Sequence, residues 1–138
     1  QQAFGSNIRL QTRFEKMFIR YVSFYPPKSG TNFYQDIYWK FIRLITLRVR
    51  FSSFSTADYD SRLYEYENDL PHVFSNFALY GQGRKWYVMI TANPSPQIKL
   101  LLKYRRITFD SVDSIGSGLM SIGGDMRQDV HLQVELRY

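Results

Sequence analysis

The most constraining feature of the sequence is the strict alternation of apolar and polar residues at its C-terminal end. Apolar or aromatic side chains occupy every second position there: Val130, Leu132, Val134, Leu136 and Tyr138. Polar, mostly charged side chains occupy the positions between them: Asp129, His131, Gln133, Glu135 and Arg137. Because successive side chains of a strand point to opposite faces, this alternation predicts a β-strand with one apolar and one polar face. In a soluble sheet the apolar face would be covered by a core, whereas in a membrane-spanning barrel it would contact lipid.

The same division between faces recurs upstream, at residues 8–15, 45–51, 85–92 and 98–105. If these segments belong to a barrel, their polar positions line its interior. Charged residues at such positions are Arg9, Arg13, Glu15, Arg48, Arg50, Lys99, Lys103, Arg105 and, in the last strand, Glu135. Because charges in a narrow interior need partners, we expect these residues to form a charge network in the lumen, together with acidic residues such as Asp36, Glu65 and Glu67.

Weaker strand patterns at residues 33–40, 62–68 and 73–80 bring the expected number of strands to eight. The parity of the first segment is lost near Lys16, which predicts a β-bulge or a lumen shift there. Long polar or glycine-rich links at residues 26–30, 53–59 and 110–127 alternate with shorter turns, as in up-and-down membrane barrels. We therefore expect residues 1–138 to be one all-β domain. It would be an antiparallel, up-and-down transmembrane β-barrel of about eight strands with its interior filled by side chains, or the C-terminal strands of a larger barrel.

Composition excludes several classes of protein but does not choose between the remaining ones. Aromatic residues make up 17% of the chain, which suits either a sandwich core or the aromatic girdles of a membrane barrel. The net charge of +6 comes from scattered basic residues with no basic block, so nucleic acid is not an expected partner. The chain has no cysteine, which excludes disulfides and a thiol nucleophile, and no apolar run long enough for a transmembrane helix.

The terminal aromatic Tyr138, preceded by apolar residues at every second position back to Val130, resembles the C-terminal signature of bacterial outer-membrane barrels. The resemblance implies that this strand is the signal read by the barrel-assembly machinery. Residues 59–69, 80–84 and 115–119 are also similar to the C-terminal barrel region of large Bacteroidota-type outer-membrane proteins. Those proteins often carry a helix-hairpin-helix segment near their N-terminus, which this chain lacks. The narrower likeness implies the end of a longer barrel and transfers no DNA binding.

Residues able to carry chemistry are few and lack supporting motifs. His72 and His131 are the only histidines, and neither has a flanking pattern for catalysis. Glu65, Glu67 and Asp69 do not have the spacing of a calcium loop, and pairing with arginines is the preferred interpretation. The glycines of residues 116–124 lack the strand-to-helix context of a phosphate-binding loop. We expect no catalytic residues, cofactor or metal.

These observations favour a non-catalytic integral barrel of the bacterial outer membrane, acting as a structural or accessory component of an envelope assembly. Its expected partners are outer-membrane lipid and lipopolysaccharide, the barrel-assembly machinery and other outer-membrane proteins. Two alternatives stay open: a channel or transporter, if the strands belong to a wider barrel, and a soluble barrel that binds a small ligand.

Overall fold

The computed structural model describes residues 2–4, 7–20, 26–73, 76–110, 112–116 and 118–137, and most of these lie in β-strands. The strands are β1 (Gln2–Phe4), β2 (Ile8–Ile19), β3 (Lys28–Ile42), β4 (Ile45–Thr56), β5 (Leu63–Tyr64), β6 (Ala78–Leu79), β7 (Gln82–Ser95), β8 (Ile98–Phe109), β9 (Ser114–Ile115), β10 (Ile122–Gly123) and β11 (Met126–Leu136). A single 3-10 turn at Gly118–Met120 is the only helical element of the described chain. No helix in these ranges is long and apolar enough to cross a membrane. The all-β prediction is confirmed.

The principal sheet is an antiparallel meander in the order β1-β2-β3-β4-β7-β8-β11. Each strand pairs with the next one in this order, while β5–β6 and β9–β10 form separate two-stranded sheets. Two-residue turns at residues 43–44 and 96–97 connect strands at one end. The strand ends that the longer links join, at residues 19 and 28, 56 and 82, and 109 and 126, all lie at the other end. Short turns and longer links therefore alternate as predicted around β3–β4 and β7–β8, but the short turn predicted near residues 69–71 is wrong, because these residues lie inside the link between β4 and β7.

Two of the predicted strands do not belong to this sheet. Residues 62–68 and 73–80 contribute only the short strands β5 and β6. The link between β4 and β7, described for residues 57–73 and 76–81 and including β5 and β6, lies across one face of the sheet, and we call it the covering segment. Its acidic residues Glu65, Glu67 and Asp69 contact basic side chains of the sheet. Within the described chain β11 pairs only with β8 and β1 only with β2, so the sheet is open.

The bulge predicted near Lys16 is also wrong. Lys16 pairs with Thr31 in an unbroken register between β2 and β3. Lys16 therefore lies on the same face as Phe14 and Phe18, and Met17 lies on the opposite face, so the loss of parity in the sequence is a change in side-chain polarity without a bulge in the backbone. The register shifts instead between residues 40 and 42 of β3 and between residues 92 and 95 of β7, next to the short turns.

The two faces of the sheet differ sharply in chemistry. One row of directly paired positions, which defines the polar face, runs Gln11, Asp36, Arg50, Tyr87, Arg105 and Asp129. The adjacent row, which defines the apolar face, runs Leu10, Ile37, Val49, Val88, Tyr104 and Val130. The buried clusters lie on the polar side, beneath the covering segment. They are Phe54, Leu79, Ile107 and Phe109 near the long links, and Leu70, Tyr87, Met89 and Leu101 farther along the sheet.

The covering segment approaches the sheet closely at its first turn. The Thr56 N–H donates a hydrogen bond to the carbonyl oxygen of Gly81, and the Gly81 N–H donates one to the Thr56 hydroxyl, so the two ends of the segment are held together. Lys28 forms ion pairs with Asp58 and Asp60 at this end. A Cβ atom at Gly30 would lie 2.6 Å from the backbone oxygen of Ser61, so only glycine allows this approach without a shift of the backbone.

Candidate functional site

Four basic side chains of the sheet project from the polar face into a buried region. They belong to Arg50 on β4, Lys85 on β7, and Lys103 and Arg105 on β8, and each side chain is at most 4% exposed. A buried cation without a partner is costly, because removing it from water forfeits its hydration. The position of these residues therefore requires carboxylates nearby.

The covering segment supplies the first of these carboxylates through Glu65. Its side chain lies 2.9 Å from the Lys85 ammonium and 3.1 Å from the Arg50 guanidinium. Asn32 and Ser52 also donate hydrogen bonds to it, at 2.9 and 3.1 Å. The carboxylate thus connects β3, β4 and β7 to the covering segment.

Glu67 and Asp69 continue the network along the segment. Arg105 Nη1 lies 2.8 Å from Glu67, and the Lys103 ammonium lies 3.2 Å from both Glu67 and Asp69. Leu63, Glu65 and Glu67 face inwards while Tyr64 and Tyr66 are exposed, since alternate side chains of an extended chain point to opposite sides. This alternation places Glu65 against Arg50 and Lys85 of β4 and β7, and Glu67 against Lys103 and Arg105 of β8.

Carboxylates of the sheet complete the pairing. Asp36 accepts two hydrogen bonds from Arg50, at 2.5 and 2.6 Å, and Asp129 accepts from Arg105 at 2.8 Å. Bidentate pairs of this kind fix the orientation of a guanidinium. The buried network is therefore nearly balanced in charge and crosses five strands.

The ionisation of Glu65 reflects these contacts. Burial acts to raise the pKa of its carboxyl group, but the charges of Lys85 and Arg50 and the hydrogen bonds from Lys85 and Asn32 outweigh that effect. The pKa of Glu65 consequently lies below its ordinary value of 4.5. The group is ionised at neutral pH, as the network requires.

A polar cleft of about 500 Å³ adjoins the network towards the short turns. We call it the basic cleft, because Arg9, Lys40 and Arg48 line it together with Asp36, Tyr38 and Asn68. Arg9, Tyr38 and Arg48 occupy directly paired positions on β2, β3 and β4. The two guanidinium carbons lie 5.8 and 5.5 Å from the centre of the Tyr38 ring, within reach of a cation–π interaction.

The nine charged residues predicted to form one lumen network all lie on the polar face, but in separate groups. Arg50, Lys103 and Arg105 belong to the buried network, while Arg9 and Arg48 line the basic cleft. The other four form two local pairs, Arg13 with Glu15 at 2.5 Å and Lys99 with Glu135 at 3.3 Å.

Sequence reasoning omitted Lys85 from the network, although it is one of the most deeply buried residues. Its parity, opposite Trp86 and Val88, was the signal that could have found it. The segment that supplies Glu65, Glu67 and Asp69 was expected to be a strand, so their position above the sheet was not foreseen. In the described chain these carboxylates bind basic side chains, and no cluster of three metal-ligating residues is found there.

The residues predicted to form the assembly signal lie on the apolar face of the edge strand β11. Val130, Leu132, Val134 and Leu136 are exposed by 55 to 71%. Tyr138 lies outside the described residues. The apolar face of β11 thus has the exposed alternating pattern expected from the sequence, on the strand whose outer edge is open in the described chain.

Comparison with protein-family models, curated proteins and solved structures gave no match to this chain. The functional conclusion therefore depends on the geometry of the chain itself.

Proposed function

We propose that this chain forms part of the wall of an integral outer-membrane β-barrel, with a non-catalytic structural or accessory role in the bacterial cell envelope. The observation that carries the proposal is the inverted distribution of polarity across the sheet. Lys85, Lys103 and Arg105 are at most 2% exposed, whereas Leu132 is 71% and Leu136 is 67% exposed. Charged residues are among the least often buried in soluble proteins, while a membrane barrel places its apolar side chains outwards.

The dimensions of the sheet support this placement. β4 and β8 contain 12 residues each. At about 3.4 Å per residue and a tilt of about 40°, such strands span about 30 Å, which is close to the hydrocarbon thickness of a bilayer.

Aromatic pairs lie towards both ends of the apolar face. Trp86 and Tyr104 are in contact towards the long links, with ring centres 5.1 Å apart. Trp39 and Phe41 are in contact near the short turns, with ring centres 4.9 Å apart. Aromatic girdles of this kind mark the two interfaces of membrane barrels.

The covering segment favours a structural role over an open pore for this part of the wall. It lies on the polar side, where the lumen of a barrel would be, and its acidic residues neutralise the cations of the sheet. Lipid and lipopolysaccharide would contact the apolar face, and the barrel-assembly machinery would recognise β11.

The open sheet favours the alternative of a channel or transporter within a wider barrel. An unpaired strand edge is not tolerated in the hydrocarbon region, so further strands would have to pair with β2 and β11. The basic cleft gives such a barrel a polar site on its inner surface. A soluble barrel is less favoured, because it would have to enclose the apolar face of the sheet. In the described chain that face is exposed, and the covering segment packs on the opposite, polar face.

Removal of detergent tests the membrane placement. The purified chain in maltoside micelles is diluted below the critical micelle concentration with and without liposomes and then centrifuged on a flotation gradient. We expect flotation with the liposomes and aggregation without them. A monodisperse, folded protein in detergent-free buffer would overturn the proposal.

A further inference from the structure

We propose that the basic cleft binds a small, multiply charged oxyanion through Arg9, Lys40 and Arg48. This inference goes beyond the envelope role, and its test does not require insertion into a membrane. The ligand class is defined by chemistry: a compact molecule that carries phosphate or carboxylate groups.

The first argument is the pairing of charges across the polar face. Nearly every basic residue of this face forms an ion pair with a carboxylate: Arg13, Lys28, Arg50, Lys85, Lys99, Lys103, Arg105, Arg127 and Arg137. In the described part of the chain Arg9, Lys40 and Arg48 are the exceptions, and all three line the same cleft. The three basic residues of this face that have no carboxylate partner in the described chain therefore all line the basic cleft.

The acidic residue in the cleft does not offset this excess. Asp36 lines the cleft, but both of its carboxylate oxygens accept hydrogen bonds from Arg50, which lies in the buried network. Its charge is therefore already matched. The local balance around Arg9, Lys40 and Arg48 is positive, and an anion would complete it.

The second argument is the orientation of the two guanidinium groups. Both lie close to the ring of Tyr38, which stands between them in register. Contact with an aromatic ring restricts a guanidinium without using up its N–H donors. Two such forks, with the Lys40 ammonium on the same cleft, offer N–H donors from which a phosphate or carboxylate group can accept hydrogen bonds.

The size of the cleft sets the class of ligand. Its volume of about 500 Å³ lies within the range of small-molecule sites and exceeds that of a single inorganic phosphate. A di- or triphosphate or a tricarboxylate is therefore the preferred size. An anionic lipid headgroup has the same chemistry, so the experiment has to separate the two sources.

Calorimetric titration of the purified chain in maltoside micelles, with pyrophosphate and citrate as probes, tests the inference. Maltoside carries no charge and does not compete. We expect saturable binding that weakens with added salt, since screening reduces the attraction between charges. Arg9→Gln and Arg48→Gln should each weaken binding by about tenfold, because each removes a charge-assisted hydrogen bond. Lys40→Gln should also weaken binding. Because Lys40 is exposed near the end of β3, this substitution should leave the fold intact, and the loss of affinity can be assigned to the lost charge.

Arg13→Gln is the matched control, because Arg13 lies on the same strand and face as Arg9 but pairs with Glu15 outside the cleft. It should leave the affinity unchanged. Displacement of pyrophosphate by micelles doped with phosphatidic acid would assign the site to a lipid headgroup, and resistance to that lipid would assign it to a soluble anion. Absence of saturable binding at millimolar probe, or an equal loss in Arg13→Gln, would overturn the inference while leaving the flotation result unaffected.

Discussion

At the scale of single residues, the stability of this protein depends on how completely its buried charges are paired. Lys103 and Arg105 are buried beneath Glu67, which contacts both of them. A buried ion pair adds little to stability compared with an apolar replacement, but removing one partner leaves an uncompensated charge. The network is therefore more important for holding the covering segment in one position than as a source of net stabilisation.

Glu67→Gln should destabilise the fold by about 3 kcal/mol, because Lys103 and Arg105 would each lose a buried counter-charge. Denaturant unfolding in micelles, followed by circular dichroism, measures the change. Glu15→Gln is the control, since Glu15 pairs with the exposed Arg13 and its loss should cost less than about 1 kcal/mol. Equal effects of the two substitutions would contradict a central role for the buried network.

Acidification should release the covering segment through Glu65. Because its pKa is lowered in the folded state, the stabilisation from its ionised form is complete above its ordinary pKa of 4.5 and is lost as the pH falls through the lower folded value. Hydrogen exchange in residues 63–69, corrected for intrinsic rates, should therefore accelerate below pH 4.5. Glu65→Gln should show fast exchange at neutral pH with a weaker dependence on acid. Protection that stays constant down to acid-induced unfolding of the whole sheet would argue against this coupling.

At the scale of elements, periodicity predicted the long strands well and the covering segment poorly. Residues 98–105 and 130–136 alternate cleanly, and both segments are strands with the expected faces. Residues 62–68 also alternate, with Leu63, Glu65 and Glu67 on one parity, but here the alternation reflects an extended chain lying on the sheet. Alternation indicates that the backbone is extended and which side chains share a face. It does not indicate whether that face packs against a neighbouring strand, a sheet or lipid. Arg9 and Arg48 of the basic cleft are among the predicted lumen charges, but Lys40 is not, and periodicity alone does not separate this cleft from the buried network.

Gly30→Ala should displace the covering segment, since the new Cβ atom would lie 2.6 Å from the backbone oxygen of Ser61. We expect a loss of about 1–3 kcal/mol, typical of overpacking at a site that cannot relax freely. The free energy of unfolding measures this loss. Gly123→Ala is a suitable control, because a Cβ atom there meets nothing within 4 Å, and its cost should stay within about 0.5 kcal/mol. A tolerated alanine at Gly30 would show that the first turn of the segment is easily moved.

At the scale of the whole molecule, the sheet is amphipathic in the opposite sense to a soluble domain. The covering segment and both buried clusters lie on its polar side, and the exposed apolar side chains of β8 and β11 lie on the other. In water such a surface would associate with other copies. In a bilayer the apolar face would contact the lipid hydrocarbon. The free-energy cost of introducing a charged side chain would then depend on the face of the sheet and on the depth in the bilayer.

Leu132→Arg should cost about 2–4 kcal/mol in a bilayer, because Leu132 lies near the middle of β11 and the new charge would face lipid near the midplane. Gln133→Arg, at the neighbouring position on the polar face, should cost much less. Unfolding of both variants in liposomes measures the difference. The same pair measured in micelles and in detergent-free buffer provides the comparison, and a cost pattern independent of the medium would count against a lipid-facing surface.

The position of the covering segment between β4 and β7 has a consequence for the order in which the chain assembles. The pairs β3–β4 and β7–β8 are joined by two-residue turns and form from local contacts, which is fast. Joining these two hairpins along β4 and β7 requires closure of the loop formed by residues 57–81, with its acidic side already on the polar face. If the hairpins joined first with the loop on the other side, Lys85 and Lys103 would be left without Glu65, Glu67 and Asp69, the carboxylates that pair with them. The ion pairs therefore favour the arrangement in which the two hairpins meet with the covering segment on the polar face.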